Sequence, residues 1–126
     1  MVPGDLSYTK EHEWVRVDGD EAVVGITTFA ADQLGDIVFV ELPKPGRVLA
    51  RAVTFGVVES VKAVSDLYAP IGGEVVAAND ALTGRPELVN TDPYGEGWML
   101  RLRIADASQL DALLDAAAYE RLTAEA

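Results

Sequence analysis

Short apolar runs separated by closely spaced turn residues limit the folds that this chain can adopt. In the clearest run two sets of side chains alternate: Trp98, Leu100, Leu102 and Ile104 with Met99, Arg101 and Arg103. Alternation with a period of two is typical of a strand with one buried face. Turn residues such as Pro43–Gly46 and Gly72–Gly73 break the chain between such runs. The pattern predicts a small, mostly β domain, either a sandwich or a barrel.

Further strands are predicted along most of the chain. They cover 6–10, 11–18, 22–27, 36–42 and a hairpin over 55–70, and in 71–79 the glycine pair forms a turn or bulge that leads into another short strand. Within 11–18 two sets alternate as in a half-buried strand: Val15 and Val17 with Trp14, Arg16 and Asp18. Residues 47–52 are predicted to form a turn or a weak edge strand.

Helical patterns are few. Residues 28–35 predict a short helix that Thr27 or Thr28 caps and Gly35 ends. Residues 86–90 fit one helical turn. From Asp106 the apolar period becomes helical, with Asp106 or Ser108 as the cap, an apolar face over 110–114 and a break before Tyr119. We expect a single domain over 1–126, with a core over about 20–105 and a C-terminal helical region over 106–126.

Composition excludes several kinds of function. The chain has 126 residues, no cysteine and one histidine, so disulfides, thiolate metal sites and multi-histidine metal sites are excluded. A net charge of -11 argues against nucleic-acid binding and suits docking to partners with basic surfaces. The sequence shows no membrane-spanning run and no signal peptide, so we expect a cytoplasmic protein that binds neither membrane nor nucleic acid.

The predicted hairpin over 55–70 carries Lys62 near its apex, between Val61 and Ala63. One interpretation is a solvated surface amine. The other is an amine presented for covalent modification, because a protruding turn can enter the active site of a modifying enzyme.

Independent catalysis finds little support in the sequence. His12 is the one histidine, and no Gly-x-Ser-x-Gly or phosphate-binding glycine loop occurs. We expect His12 to be structural or a surface group. A compact β scaffold with a protruding lysine suits a carrier whose cofactor supplies the chemistry.

Several motifs of the chain resemble the H proteins of the glycine cleavage system. The resemblance extends over almost the whole length, and its most specific run is Glu-Ser-Val-Lys-Ala at 59–63. The other matching segments are 8–17, 24–27, 33–43, 55–66, 69–70, 73–76, 86–90 and 92–98, the last containing Pro-Tyr-Gly-Glu-Gly-Trp.

This resemblance implies the flattened β-barrel, or barrel-sandwich hybrid, of lipoyl domains, with short helices and a C-terminal helix. It implies lipoic acid in amide linkage to Lys62. It also implies three partner enzymes: a pyridoxal-phosphate glycine decarboxylase (P protein), an aminomethyltransferase (T protein) and a flavin dihydrolipoamide dehydrogenase (L protein). The carrier itself would catalyse no step.

The resemblance also implies roles for residues around Lys62. Glu59, Ser60 and Ala63 belong to the attachment motif and would present Lys62 to a lipoylating enzyme. Glu13 and Asp66 would contact the amine end of the loaded arm, although a solvated strand-end charge is the plainer interpretation of both.

Two positions depart from the family. Ala52 stands where a glycine is usual, which can reshape a tight turn, and Tyr68 is larger than expected beside the arm.

Two other hypotheses remain open from the sequence. The lipoylated chain could act as a lipoyl donor for 2-oxo acid dehydrogenases. It could instead be an unmodified interaction module. We expect a monomer in either case.

Overall fold

The computed structural model describes residues 2–125. Its strands are β1 (Ser7–Tyr8), β2 (Glu13–Asp18), β3 (Glu21–Ile26), β4 (Ile37–Glu41), β5 (Val48–Leu49), β6 (Thr54–Ser60), β7 (Val64–Tyr68), β8 (Gly73–Ala78) and β9 (Leu100–Ile104). Its helices are α1 (Thr28–Leu34), α2 (Ala81–Gly84), α3 (Leu88–Thr91), a 3-10 helix (Ala107–Ala112) and α4 (Ala116–Ala124). None of these helices combines the length and the apolar character needed to cross a membrane.

The strands form two antiparallel sheets. The larger has the order β1-β2-β3-β9-β8-β5, and the smaller has the order β4-β6-β7. Inward side chains of both sheets make one core, as Val24 and Leu102 of the larger sheet and Val58 and Leu67 of the smaller illustrate. Burial of these apolar surfaces holds the sheets face to face. The prediction of a mostly β sandwich or barrel is confirmed.

A second apolar cluster lies on the opposite face of β2 and β3 from the main core. Trp14 and Val23 pack there with Tyr8 of β1 and Tyr119 of α4. The indole of Trp14 covers Gly25, where a Cβ atom would lie 2.6 Å from the ring. Helix α4 therefore covers the larger sheet from outside.

This second cluster explains why the predicted alternation in 11–18 was wrong. Trp14 and Val15 are both buried because β2 has apolar partners on both faces at this point. Val17 lies beyond that cover and is 50% exposed.

The start of the predicted strand over 98–104 also differs from expectation. Met99 is buried in the main core, whereas Trp98 packs against the second cluster. The regular strand begins at Leu100, so the alternation of β9 does not extend back through these two residues.

Helix ends follow the predicted capping chemistry. Thr27 caps α1 by accepting a hydrogen bond from the Ala30 amide, and Gly35 ends it with φ of 84°. Asp106 and Asp115 cap the 3-10 helix and α4, which confirms the predicted break between them. Helix α2 was not predicted.

The segment 47–54 contains a strained turn. β5 is an edge strand of two residues, as one of the two predicted alternatives had it. Ala52 follows it with φ of 71°, so the left-handed conformation is present even though alanine replaces the usual glycine.

Candidate functional site

The β6–β7 hairpin presents Lys62 in a two-residue loop. The Ser60 amide donates to the Ala63 carbonyl at 2.8 Å, so Val61 and Lys62 form the apex. The Lys62 side chain is exposed. The predicted hairpin and its apex are confirmed.

The hydroxyl of Ser60 organises this apex. Its Oγ accepts hydrogen bonds from the amides of Lys62 at 3.2 Å and Ala63 at 3.0 Å. The usual two-residue hairpin turns need positive φ values, and neither Val61 nor Lys62 has one. A side-chain acceptor therefore serves two amides of this turn. This gives a physical role to the serine of the Glu-Ser-Val-Lys-Ala run.

The outer face of the smaller sheet surrounds the apex with apolar and acidic groups. Phe39, Glu59 and Val64 lie side by side across β4, β6 and β7. A bulge between Ile37 and Phe39 leaves Val38 exposed next to Phe39. The strands of this sheet contain no lysine or arginine and carry three acidic residues, Glu41, Glu59 and Asp66.

A cleft of about 450 Å³ lies beyond the other end of β7. Its lining comes from four separate segments of the chain. The lining residues are Tyr8, Thr9, Lys10, Glu11, Glu13, Arg51, Ala52, Tyr68, Ala69, Pro70, Ala112, Leu113 and Leu114. Most of the wall is apolar, and the charged groups Lys10, Glu11 and Arg51 are exposed.

Glu13 is the buried acid of this cleft, with only 2% of its surface exposed. One carboxyl oxygen accepts a hydrogen bond from the Thr9 hydroxyl at 2.6 Å, and the other accepts from the Tyr68 amide at 3.4 Å. Burial raises the pKa of Glu13 to about 7, although these two hydrogen bonds oppose the rise. Glu13 therefore retains its proton to a higher pH than an ordinary carboxyl, and a bound cation would favour its charged form.

Of the two acids assigned through the family resemblance, Glu13 lines the cleft. Asp66 lies two residues before Tyr68 on β7 and so projects from the same face of that strand. It is exposed, and it is not among the residues that line the cleft. Tyr68 forms part of the cleft wall.

Sequence reasoning missed the far wall of the cleft. Leu113 and Leu114 contribute to it from the turn between the 3-10 helix and α4, and Arg51 contributes from the turn after β5. The apolar pattern at 110–114 pointed to a buried face but not to what that face borders.

Behind the cleft a polar network joins α4 to the turn that precedes Glu13. Nδ1 of His12 lies 2.7 Å from the hydroxyl of Tyr119, and that hydroxyl lies 2.7 Å from the hydroxyl of Thr27. Burial lowers the pKa of His12. In agreement with expectation, His12 has a structural place, and its backbone adopts φ of 71°.

Two facing antiparallel sheets with a lysine at an ordered hairpin apex define a barrel-sandwich hybrid of the lipoyl-domain type. The chain belongs to the glycine cleavage H-protein family, whose model matches residues 6–126.

Individual relatives agree with this assignment. A glycine cleavage system H protein of Symbiobacterium thermophilum is 61% identical over 124 residues, which cover 98% of this chain and 97% of the relative. One from Magnetococcus marinus is 64% identical over 118 residues, covering 94% and 84%. The crystal structure of a glycine cleavage system H protein from Mycobacterium marinum has a TM-score of 0.87 at 39% identity and covers 98% of this chain and 99% of that one. The fold expected from the resemblance is confirmed.

Proposed function

We propose that the chain is the lipoyl carrier of a glycine cleavage system, with lipoic acid in amide linkage to Lys62. When bound, lipoic acid supplies a dithiolane that takes up the aminomethyl group of glycine and returns as a dithiol. The observation that carries the proposal is the exposed Lys62 at an ordered two-residue apex, within a chain that matches the H-protein family over residues 6–126.

The residues present fit this group. Lys62 offers a primary amine at a protruding site, as acylation requires. The cleft beside β7 offers apolar walls of aliphatic and aromatic side chains and a single buried carboxyl. An apolar arm that ends in an amine is complementary to such a site.

The cleft residues have two roles in this proposal. Glu13 holds a terminal ammonium by a charge-assisted hydrogen bond, and the apolar wall formed by Leu113 and Leu114 keeps water away from it. Asp66, exposed on the path from the apex to Tyr68, attracts the same ammonium before it reaches Glu13.

The outer face of the smaller sheet is the proposed docking surface for the P, T and L proteins and for lipoylating enzymes. Exposed Phe39 and Val64 offer apolar contact beside Lys62. The acidic residues of the same strands favour partner sites that are lined by lysine and arginine. We therefore expect association to weaken as the salt concentration rises.

Three other features belong to the proposal. The chain acts as a non-catalytic subunit that forms one carrier domain over 1–126, with its core over about 20–105. It acts as a monomer in the cytoplasm.

A reconstituted exchange assay tests the proposed function. The lipoylated chain, glycine and glycine decarboxylase are mixed, and incorporation of labelled bicarbonate into glycine is followed. We expect exchange that depends on Lys62 and is absent in Lys62→Arg. A chain that donates lipoate to 2-oxo acid dehydrogenases but supports no exchange would instead be a lipoyl donor.

The exchange assay also tests the cleft. Glu13→Gln keeps the shape of the side chain but loses the charge that holds an ammonium. We expect Glu13→Gln to accept lipoate normally and to support exchange about tenfold less well, since a charge-assisted hydrogen bond contributes roughly 1.5–3 kcal/mol. Glu11→Gln, on the exposed rim of the same cleft, is the matched control. Equal effects of the two variants would contradict the role of Glu13.

A further inference from the structure

The segment 86–90 matches the H-protein family, yet the proposed function gives it no task. Within it, Asn90 spans the connection between α1 and β4. The side-chain Oδ1 accepts a hydrogen bond from the Ile37 amide at 2.9 Å, and Nδ2 donates to the Gly35 carbonyl at 2.9 Å. One amide side chain thus holds the residues on both sides of Asp36.

Asp36 is the residue on which the lysine hairpin rests. Its carbonyl accepts a hydrogen bond from the amide of Val61 at 3.0 Å. Val61 immediately precedes Lys62 in the apex. The chain of contacts therefore runs from Asn90 to the 35–37 connection, and from there to the apex.

The side chain of Lys62 also contacts this connection. A Cβ atom added to Gly35 would lie 3.4 Å from Cε and 3.9 Å from Cδ of Lys62. The lysine stem therefore lies across the bare backbone of Gly35. Gly35 has φ of 84°, so it serves both the end of α1 and the passage of the stem.

We propose that Asn90 is a positioning residue for Lys62. By fixing Gly35 and Ile37, it holds the Asp36 carbonyl where Val61 binds and keeps the path of the lysine stem open. A lipoylating enzyme then meets the amine in a narrow range of positions, which lowers the entropic cost of acylation. This inference rests on the proposed modification of Lys62.

The test compares Asn90→Ala with Asn79→Ala in the unlipoylated full-length chain. Asn79 is the matched control because its side chain likewise bonds backbone groups on both sides: Nδ2 donates to the carbonyls of Glu96 at 2.8 Å and Trp98 at 2.7 Å, and Oδ1 accepts from the Ala81 amide at 3.2 Å. Both variants should lose stability. We expect kcat/KM for lipoylation to fall about tenfold in Asn90→Ala and to change less than about twofold in Asn79→Ala, with the loss in kcat rather than KM.

Amide hydrogen exchange provides a readout that does not depend on any enzyme. The Val61 amide should exchange faster in Asn90→Ala and at the normal rate in Asn79→Ala. If Asn90→Ala does not fold, Asn90→Asp replaces it, since aspartate keeps an acceptor for Ile37 and loses the donor to Gly35. Unchanged Val61 exchange, or equal losses of lipoylation in the Asn90 and Asn79 variants, would overturn the proposal.

Failure of the proposed function gives a different result. In that case the wild-type chain accepts no lipoate, or Lys62→Arg accepts it equally well, whatever the Val61 amide does. The two failures are therefore separable in one series of measurements.

Discussion

The two ends of strand β7 differ in how they are built. At one end the Lys62 apex is exposed, and its amides donate hydrogen bonds to the Ser60 hydroxyl and to the Asp36 carbonyl. At the other end the Glu13 cleft is assembled from β2, the turn after β5, the end of β7 and the segment before α4. The first region is held by a few polar contacts, and the second is built from many separate segments and is largely apolar.

This difference has a functional consequence under the proposed carrier role. The apex must be reached by several enzymes, so it protrudes, and its support comes from the hairpin itself and from the 35–37 connection. The cleft must exclude water, so it needs walls that only tertiary packing can supply. Mutations should therefore affect the two ends of β7 separately.

The largest effect is expected for Tyr119→Ala, which loosens the packing of α4 behind the cleft. The Tyr119 ring stacks on Tyr8 with centroids 4.8 Å apart, and its hydroxyl binds His12 and Thr27. Truncation of a buried aromatic residue costs about 3–5 kcal/mol of unfolding free energy. Urea unfolding followed by circular dichroism measures this loss. At a temperature where the variant is folded, lipoylation of Lys62 should continue at the normal rate, and a parallel loss of lipoylation would show that the ends are not independent.

The pH dependence of stability should identify the ionisation of Glu13. Because its folded pKa is about 7 and its ordinary value is 4.5, the folded state retains a proton that the unfolded state releases in this interval. The stabilisation is thus fully present below about pH 4.5 and is lost as the pH rises through 7, by roughly 3 kcal/mol.

The difference in unfolding free energy between wild type and Glu13→Gln isolates this contribution. His12 has a lowered pKa and acts in the opposite direction below its ordinary value of 6.5, but it is common to both proteins. Urea titrations at pH 5, 6, 7 and 8 should show that the variant gains stability relative to wild type as the pH rises. A difference that does not vary with pH would contradict burial of an ionisable Glu13.

A smaller effect, at the opposite end of β7, is expected for Ser60→Ala. The variant loses the acceptor for two amides at an exposed site, so the apex loosens while the cleft keeps its walls. We expect kcat/KM for lipoylation to fall about fivefold, corresponding to about 1 kcal/mol. Ser65→Ala on the same hairpin is the control, since its hydroxyl binds only the Asp66 carbonyl within the described residues. Equal lipoylation rates for both serine variants would contradict the role of Ser60.

The smallest effect concerns the rim of the cleft. Ala52→Gly should raise the unfolding free energy by about 0.5–1 kcal/mol, because φ of 71° is strained for alanine and free for glycine. Ala50→Gly, two residues earlier and without positive φ, should lower stability by a similar amount. Thermal unfolding of both variants checks the sign of each change in stability. A loss of stability in both would mean that Ala52 is not strained.

The same contrast explains what the sequence could predict. The hairpin, the caps Thr27 and Asp106, and the break before Tyr119 depend on neighbours along the chain, and the structure contains all of them. Burial of Met99 and exposure of Val17 depend on which elements cover each face of a strand, and periodicity alone carries no such information.

The same distinction applies to the residues of the candidate site. Lys62 and Ser60 followed from a contiguous motif. Glu13 was assigned through the family resemblance, and its burial beside Tyr68 became visible only in the fold. The proposed pairing of Glu13 with Asp66 stays a prediction, since Asp66 lies outside the cleft lining.

The mass of the intact chain after incubation with a lipoyl ligase, ATP and lipoate tests the central claim most directly. The chain has three lysines, Lys10, Lys44 and Lys62, so three lysine-to-arginine variants cover the side-chain candidates. The proposed function predicts one lipoyl adduct on wild type, Lys10→Arg and Lys44→Arg, and none on Lys62→Arg. An adduct that persists in Lys62→Arg, or no adduct on the wild-type chain, would contradict it.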